Sequence, residues 1–220
     1  MVRWGIRPEN LARLLYPETM IFMGLLVAAL VIVSIVVRLR ATYSYDLAAT
    51  LRLQRLESPA LTACARWATF LGNATTVLLL AISLFAISAF LKRAEAGFPL
   101  LFSLLAMPLN AILKNIFDRE RPGEKEAKIH GGPRWGFSYP SGHSMASSAF
   151  YWTLAVLAYL LVTVPELRYP VVTILALVPL ATGVSRVYLG AHWLSDVVAG
   201  WTGGAVVALA SGALYAPFSG

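Results

Sequence analysis

Three polar clusters interrupt this apolar chain, and each contains side chains that could take part in chemistry. Residues 114–122 read KNIFDRERP, residues 140–143 read PSGH, and residues 185–196 read SRVYLGAHWLSD. Two of the three histidines of the chain lie in these clusters, beside lysine, arginine, serine and aspartate. Cationic and hydroxyl groups bind oxyanions, and imidazoles transfer protons or accept a phosphoryl group. If the fold brings the clusters together, we expect an anion site with a nucleophile.

The cationic residues and one predicted helix start suggest a phosphate site. Lys114, Arg121 and Arg186 carry three positive charges, and the two guanidinium groups match the spacing of phosphate oxygens. Ser141 adds a hydroxyl, and Gly142 allows the backbone to approach a ligand closely. Because the PSGH cluster precedes a predicted helix, the free amides of the first turn and the helix dipole favour an anion there. We expect these residues to form a cradle of phosphate size.

The histidines suggest how such a phosphate would react. His192 and Asp196 are four residues apart, so on a helix they would share a face. The carboxylate could then accept the Nδ1 proton and leave Nε2 free as a base or nucleophile. His143, next to the predicted cradle, could give a proton to a leaving oxygen. This division of roles fits phosphoryl transfer through a phosphohistidine.

Each cluster taken alone has a simpler explanation. Lys114 and Arg121 could be juxtamembrane charges that contact lipid head groups. A Ser-Gly-His sequence is common, and His192 with Asp196 could form an ion pair on a helix surface. The occurrence of all three clusters in one chain is what favours a functional site.

The composition indicates a membrane protein with helical spans. Hydrophobic residues make up 58% of the 220 residues, charged residues only 13%, and the mean hydropathy is +0.69. Soluble domains carry about 25% charged residues. Continuously apolar runs fit helices better than the alternating strands of a β-barrel. Each of six uncharged runs reaches or approaches the roughly 20 residues that a helix needs to cross the hydrocarbon core: residues 19–37, 67–91, 96–113, 135–165, 169–185 and 197–220. We therefore predict an all-α fold, one domain over residues 1–220 with a bundle of six transmembrane helices.

The long loop between the first two runs, residues 38–66, repeats leucine among arginines, at positions 47, 51, 53 and 56. This pattern predicts an additional interfacial helix on the membrane surface, with a solvated linker as the alternative. Six spans would place both termini on one side and all three polar clusters on the other. Gly200 and Gly204 form a GxxxG pattern in the last run, which is typical of close helix packing.

The charge distribution points to lipids but does not decide the orientation. The net charge is +7, and the basic residues lie between apolar runs, so we expect anionic lipid head groups as partners and no nucleic acid. Six basic residues lie on the side of the termini and twelve on the other, which read literally would put the clusters in the cytoplasm. Three of the twelve belong to the predicted anion site, and without them the difference is too small. The chain has one cysteine, Cys64, which excludes an intrachain disulfide.

The clusters resemble the signature of the type 2 phosphatidic acid phosphatase superfamily, in the order in which the family has them. That signature is Lys, six residues, Arg-Pro; then Pro-Ser-Gly-His; then Ser-Arg, five residues, His, three residues, Asp. This sequence matches every defined position, namely Lys114, Arg121, Pro122, Pro140, Ser141, Gly142, His143, Ser185, Arg186, His192 and Asp196.

The resemblance implies a role for each matching residue. His192 would be the nucleophile, Asp196 would orient it, and His143 would be the general acid. The phosphate would be held by Lys114, Arg121, Ser141, Gly142 and Arg186. The resemblance implies no metal and no cofactor, and the sequence contains no HExxH motif and no paired-aspartate motif.

The resemblance also implies an integral membrane phosphatase that acts on a phosphorylated lipid: phosphatidic acid, phosphatidylglycerol phosphate, a polyprenyl diphosphate or a lipid A phosphate. We expect a bacterial inner or plasma membrane, cytoplasmic termini and an active site on the extracytoplasmic side. Two alternatives stay open. A lipid phosphotransferase would pass the phosphoryl group from a polyprenyl diphosphate to a second lipid, and a non-catalytic protein would only bind or transport lipid phosphates.

Overall fold

The apolar runs form helices in the computed structural model, which describes residues 17–131 and 136–215. Within these ranges the chain forms nine helices, joined by turns and by one long loop before α7. They are α1 (Pro17–Arg38), α2 (Tyr43–Gln54), α3 (Pro59–Leu71), α4 (Ala74–Phe90), α5 (Ala94–Ser103), α6 (Ala106–Phe117), α7 (Gly142–Leu161), α8 (Pro165–Tyr188) and α9 (Leu194–Tyr215).

Five helical segments are long and apolar enough to cross a membrane. Four of them lie in α1, α7, α8 and α9, and the fifth is α5 together with α6. The consecutive helices α3 and α4 pass the same test as a pair but are bent by 50°. The described residues therefore contain five candidate spans, or six if the bent pair crosses as one, and the predicted all-helical membrane fold is confirmed at this level.

Two of the predicted runs are not single straight helices. The run 67–91 is divided at Gly72 and Asn73, where the Asn73 side chain caps α4 by accepting from the amide of Thr75 at 2.9 Å. A Cβ on Gly72 would lie 2.2 Å from the methyl group of Thr182, so α3 touches α8 closely at this break. The prediction of one continuous helix here was wrong, because the asparagine cap and the close contact start a new helix axis.

The third run, 96–113, is divided between α5 and α6 and extends to Phe117. Pro108 explains the break, since it has no amide proton to donate to the carbonyl of Leu104, and its ring crowds that carbonyl. The fourth run begins its helix only at Gly142, where Ser141 is the N-cap, and residues 136–141 before it are not helical.

Helix α7 lies at the centre of the bundle, packed between α8 and α9. The approach of α9 depends on its two GxxxG glycines. A Cβ on Gly200 would lie 2.8 Å from the backbone oxygen of Ser141, and a Cβ on Gly204 would lie 1.8 Å from Ser148 Oγ. A side chain at either position would displace α7. The two glycines therefore allow the N-terminus of α7 to pack directly against the start of α9.

Helix α1 lies at the edge of the bundle and exposes most of its apolar side chains, for example Phe22 and Leu25. Such a surface suits contact with lipid.

Helix α2 has the opposite arrangement, because its buried positions are polar: Asp46, Thr50 and Gln54. Leu51 on its other side is 42% exposed. A helix therefore exists in the loop where we predicted one, and its position at the membrane surface stays a prediction.

Candidate functional site

Direct contacts join the three polar clusters at one end of the bundle. The first cluster touches the third through Arg121, whose NH1 group lies 3.1 Å from Nε2 of His192. The second cluster touches the third through Ser141, whose amide donates to the backbone oxygen of Asp196 at 3.0 Å. The first cluster lies at the end of α6 and in the loop after it, the second lies at the start of α7, and the third forms the turn from α8 into α9.

Two of the three cations of the first cluster, Lys114 and Arg121, point toward the loop that precedes α7. Lys114 Nζ donates to the carbonyl of Phe137 at 2.6 Å, and Arg121 NH2 donates to the same carbonyl at 3.2 Å. Burial lowers the pKa of the Arg121 guanidinium, and the charge of Asp196 partly offsets this effect. Both cations are thus held by weak neutral acceptors, which a charged oxyanion could replace, and Arg121 lies directly beside His192.

Arg186 is the most deeply buried cation of the site, with only 2% of its surface exposed. Its NH1 group donates to Thr69 Oγ1 at 3.3 Å. Its Nε and NH2 groups are buried and find no hydrogen-bond acceptor among the described residues. A buried guanidinium normally pairs with an anion, so these two orphaned donors are the strongest structural sign of an oxyanion site.

His143 lies in the first turn of α7, among the cations of the site. Its ring interacts electrostatically with Arg186, His192, Arg121 and Lys114. It therefore lies near enough to the predicted phosphate-holding groups to be influenced by their charges. This placement is compatible with proton transfer to an oxygen bound there, as the sequence predicted.

Ser141 and Gly142 form the N-terminus of α7. Ser141 is fully buried, and its Oγ accepts from the amide of Ser144 at 3.4 Å and from the Ser144 hydroxyl at 3.0 Å. A Cβ on Gly142 would lie 3.1 Å from Asn110 Oδ1. Asn110 also donates to the carbonyl of Pro140 at 3.2 Å. The glycine thus makes room for a buried asparagine, a contact that the sequence did not indicate.

The relation of His192 to Asp196 differs from the expectation of a shared helix face. Helix α9 begins at Leu194, so His192 precedes it in the turn from α8. Asp196 lies in the first turn of α9 and accepts from the amide of Trp193 at 2.9 Å, as an acidic residue at the start of a helix commonly does. The prediction of one common helix was wrong, because this cap starts α9 after the histidine. The two side chains nevertheless meet, with 3.5 Å between Nδ1 and Oδ2.

Ser138 completes this contact. Its hydroxyl donates to Asp196 Oδ2 at 2.5 Å and lies 3.3 Å from His192 Nδ1. Since a guanidinium can only donate, Arg121 requires Nε2 of His192 to be an acceptor. The ring proton then sits on Nδ1, on the side of Ser138 and Asp196.

Burial keeps the His192 ring neutral. It lowers the pKa of His192 to about 3, an effect that the hydrogen bond and charge of Asp196 oppose only in part. At neutral pH the imidazole therefore has an unprotonated Nε2, which is the form that can attack an electrophile. Burial also raises the pKa of nearby Tyr139 to about 12, so its hydroxyl stays protonated beside Ser34.

Sequence reasoning overlooked several polar residues that contact this site. Arg119 and Ser138 lie two positions before the matched Arg121 and Pro140, so their proximity to the motifs was a usable signal. Asp46 and Thr69 lie in helices distant in sequence and gave no signal. Across residues 17–131 and 136–215, no three His, Cys, Asp or Glu side chains are grouped so that they could hold a metal ion.

A helical bundle with several segments able to span a bilayer defines an integral membrane protein, and the cluster of cations and histidines at one end is its candidate oxyanion site. The sequence profile of the PAP2 superfamily matches residues 96–217, more than half of the chain. The chain therefore belongs to the PAP2 superfamily, as its resemblance indicated.

Known relatives agree with this assignment. Phosphatidylglycerophosphatase B of Bacillus subtilis (strain 168) is 38% identical over 98 residues, which cover 43% of this chain and 45% of that protein. The matched region is thus less than half the length of this relative. The crystal structure of the first transmembrane PAP2 type phosphatidylglycerolphosphate phosphatase from Bacillus subtilis superposes with a TM-score of 0.78 and 26% identity, covering 86% of this chain and 93% of that one. LpxE of Aquifex aeolicus shares the fold, with a TM-score of 0.59, 24% identity, and coverage of 76% of this chain and 94% of that one.

Proposed function

We propose that the protein is a membrane lipid phosphatase that removes a terminal phosphate from a phosphorylated lipid through a phosphohistidine. The observation that carries this proposal is the pair of orphaned donors on Arg186, in a site that also holds a neutral, buried His192. A phosphate would satisfy the donors and place an electrophilic phosphorus beside a nucleophile. The lipid tails would stay in the bilayer while the head group enters the site.

The reaction would proceed in two steps. In the first, Nε2 of His192 forms a bond to phosphorus, the bond from phosphorus to the lipid oxygen breaks, and His143 gives that oxygen a proton. Asp196 keeps the Nδ1 proton in place and stabilises the positive charge that develops on the ring. In the second step, water attacks the phosphohistidine with His143 as the base. Inorganic phosphate leaves, and His192 returns to its neutral form.

The phosphate-holding residues would act by charge and direction. Lys114, Arg121 and Arg186 would neutralise the oxygens, with Ser141 and Gly142 at the helix terminus completing the cradle. These groups bind the equatorial oxygens more strongly as charge spreads over them in the transition state. The proposed site contains three cations, and no three His, Cys, Asp or Glu side chains of the described residues are grouped as metal ligands. We therefore infer catalysis without a metal ion.

The arrangement in the membrane is also part of the proposal. The bent pair α3 and α4 would cross as one span, which makes six, and α2 would lie at the interface. Both termini would then be cytoplasmic, with the site on the extracytoplasmic side. A cysteine-reactive dye checks this in the double variant Cys64→Ser/Lys125→Cys, because Lys125 is exposed in the loop between α6 and α7, whereas Cys64 lies within the proposed span. Labelling of intact cells by an impermeant dye supports this orientation, and labelling only after permeabilisation contradicts it.

Phosphate release by the purified protein in detergent tests the proposal. The substrates are phosphatidylglycerol phosphate, phosphatidic acid, a polyprenyl diphosphate and a lipid A phosphate, each with EDTA and with added magnesium. We expect release from at least one lipid in EDTA, and strict dependence on magnesium would contradict the metal-free mechanism. Label appearing on a second lipid would indicate the phosphotransferase, and stoichiometric binding without release would indicate the non-catalytic alternative.

The two histidine roles are tested with radiolabelled substrate and acid-labile phosphoenzyme. His192→Ala should form no phosphoenzyme, since it lacks the nucleophile. His143→Ala should form it slowly, and faster when the leaving group is good. His130→Ala is the matched control, because His130 stacks on Tyr188 outside the site. Equal phosphoenzyme in all three variants and the wild type would refute the assignment.

A further inference from the structure

The carboxylate that faces His192 is itself held by an arginine at a position that the family motif leaves undefined. Arg119 NH1 donates to Asp196 Oδ1 at 2.6 Å, while the other oxygen of Asp196 accepts from Ser138. The NH2 group of Arg119 donates to Asp46 Oδ2 at 2.7 Å. One guanidinium thus bridges two carboxylates, one beside the nucleophile and one on α2.

Asp46 is anchored in turn to the residue that precedes Asp196. Its Oδ1 accepts from the amide of Ser195 at 2.8 Å, and its Oδ2 accepts from the Ser195 hydroxyl at 2.7 Å. The Ser195 hydroxyl also accepts from Arg119 at 2.7 Å. These four side chains form a closed network that joins α2, the loop after α6, and the start of α9.

The network is buried, which makes its charges costly unless they are paired. The exposed fraction is 14% for the Arg119 side chain, 3% for Asp46 and 0% for Asp196. Ionised carboxylates at such depth need a counter-charge and hydrogen-bond donors. The planar fork of arginine can serve both carboxylates at once, whereas a lysine ammonium is a single point charge. Packing alone would not require a bridging arginine here.

We propose that Arg119 and Asp46 are positioning residues of the phosphoryl-transfer step, a role that rests on the proposed function. Arg119 holds Asp196 ionised and in one rotamer, with Oδ2, which also accepts from Ser138 and from the amide of Trp193, directed to the Nδ1 side of His192. Asp46 orients Arg119 from the opposite side. The chain of contacts runs from α2 to Asp196 to the ring, and it keeps the ring proton on Nδ1 so that Nε2 stays free.

Steady-state kinetics in detergent tests this role, with the best lipid substrate as the probe. Arg119→Gln should lower kcat by about 100-fold, the cost of misplacing a catalytic group by about 1 Å. KM should stay within about threefold, because the contacts of Arg119 go to the carboxylate network. Asp46→Asn, nearly isosteric, should lower kcat by about tenfold. The double variant should be no slower than Arg119→Gln, since Asp46 acts through Arg119.

The matched control is Arg38→Gln. Arg38 pairs with Asp118 at 3.0 Å near the same end of the bundle, but the two side chains are 63% and 61% exposed. Loss of this exposed pair should leave kcat and KM at the wild-type values. Should Arg119→Gln fail to fold, as judged by its thermal transition, kcat and KM of Arg119→Lys and Asp46→Asn are compared with those of the wild type and Arg38→Gln instead.

A spectroscopic readout separates this inference from the proposed function. The ¹⁵N NMR signals of His192 distinguish its two tautomers without any turnover. We expect the Nδ1–H form alone in the wild type and a mixture in Arg119→Gln and Asp46→Asn. Wild-type kcat, or one unchanged tautomer, in both variants would overturn the positioning role, and so would a rise in KM with constant kcat. A wild-type protein that releases no phosphate overturns the proposed function instead, and the tautomer result still decides this inference.

Discussion

The orphaned donors of Arg186 make a quantitative prediction about oxyanion binding. Replacing Arg186 with methionine keeps an unbranched apolar side chain at the buried position but removes the guanidinium, with its charge and all of its donors. Hydrogen bonds to a charged group contribute about 1.5–3 kcal/mol each, so the two donors together account for about 3–6 kcal/mol of binding free energy. Since about 1.4 kcal/mol corresponds to a factor of ten, Arg186→Met should weaken oxyanion binding by about 10²–10⁴.

Vanadate is the suitable ligand, because it resembles phosphate and reaches five-coordination on binding a nucleophile. A ligand that binds only the native state raises stability by RT ln(1 + [L]/Kd), which is about 2.7 kcal/mol at a hundredfold excess over Kd. For a chain of this size, that corresponds to a rise in Tm of roughly 5–10 °C. We expect this rise in the wild type and at most about 2 °C in Arg186→Met at the same vanadate concentration, since a hundredfold weaker Kd leaves only about 0.4 kcal/mol of stabilisation.

Arg168→Met is the matched control, because Arg168 lies on the same helix at its other end. It donates to the carbonyl of Val162 at 2.6 Å, away from the polar clusters. The control should bind vanadate as the wild type does. Differential scanning fluorimetry in detergent, with a vanadate titration for all three proteins, gives the three values of Kd. A Kd for Arg186→Met within threefold of the wild type would refute the assignment of the orphaned donors to the oxyanion.

Two further predictions concern packing and pH. Gly200→Ala should displace the start of α7, because its Cβ would lie 2.8 Å from Ser141 O; we expect a loss of about 1–3 kcal/mol in stability and at least about tenfold in kcat/KM. Gly24→Ala, with nothing within 4 Å, should behave as wild type, and equal melting curves and rates for the two variants would contradict the packing argument. Burial lowers the pKa of His192 to about 3, so the folded state binds fewer protons than the unfolded chain below pH 6.5. His192 should therefore contribute a fall in stability of up to about 1.4 kcal/mol per pH unit from pH 6.5 downward, and His192→Gln should make the pH profile shallower by that amount; parallel Tm profiles would show that the ring is not neutral.

The class of protein and the identity of the reactive groups could be predicted from the sequence. Continuous apolar runs have one stable form in a bilayer, because every backbone amide must be paired within the segment. The types and spacing of Lys114, Arg121, His143, His192 and Asp196 limit the chemistry to oxyanion binding and proton or phosphoryl transfer. The break between α5 and α6 could also have been predicted, because Pro108 cannot donate a helical hydrogen bond. The absence of charges over residues 96–113 suggested one continuous helix instead.

Other features depend on the packing of distant segments. The contact between Asp46 and Ser195 joins residues 149 positions apart, and no local pattern announces such a partner. The shared-face expectation for His192 and Asp196 used helix periodicity, but the cap at Trp193 starts α9 later in the chain. The cap of α9 and the bridging guanidinium of Arg119 depend on which polar groups are left unpaired after the helices have packed. The glycine contacts depend on how closely the helices approach each other.

The sequence by itself determined that this chain is a helical membrane protein of the PAP2 superfamily, with its cations and histidines in three separate clusters. Only the tertiary structure decided that two nitrogens of Arg186 lack an acceptor and that Arg121 faces Nε2 of His192. Only it decided, too, that Arg119 bridges Asp46 and Asp196. The physical reason is that side-chain type follows from one residue, whereas burial and pairing follow from what other segments place around it.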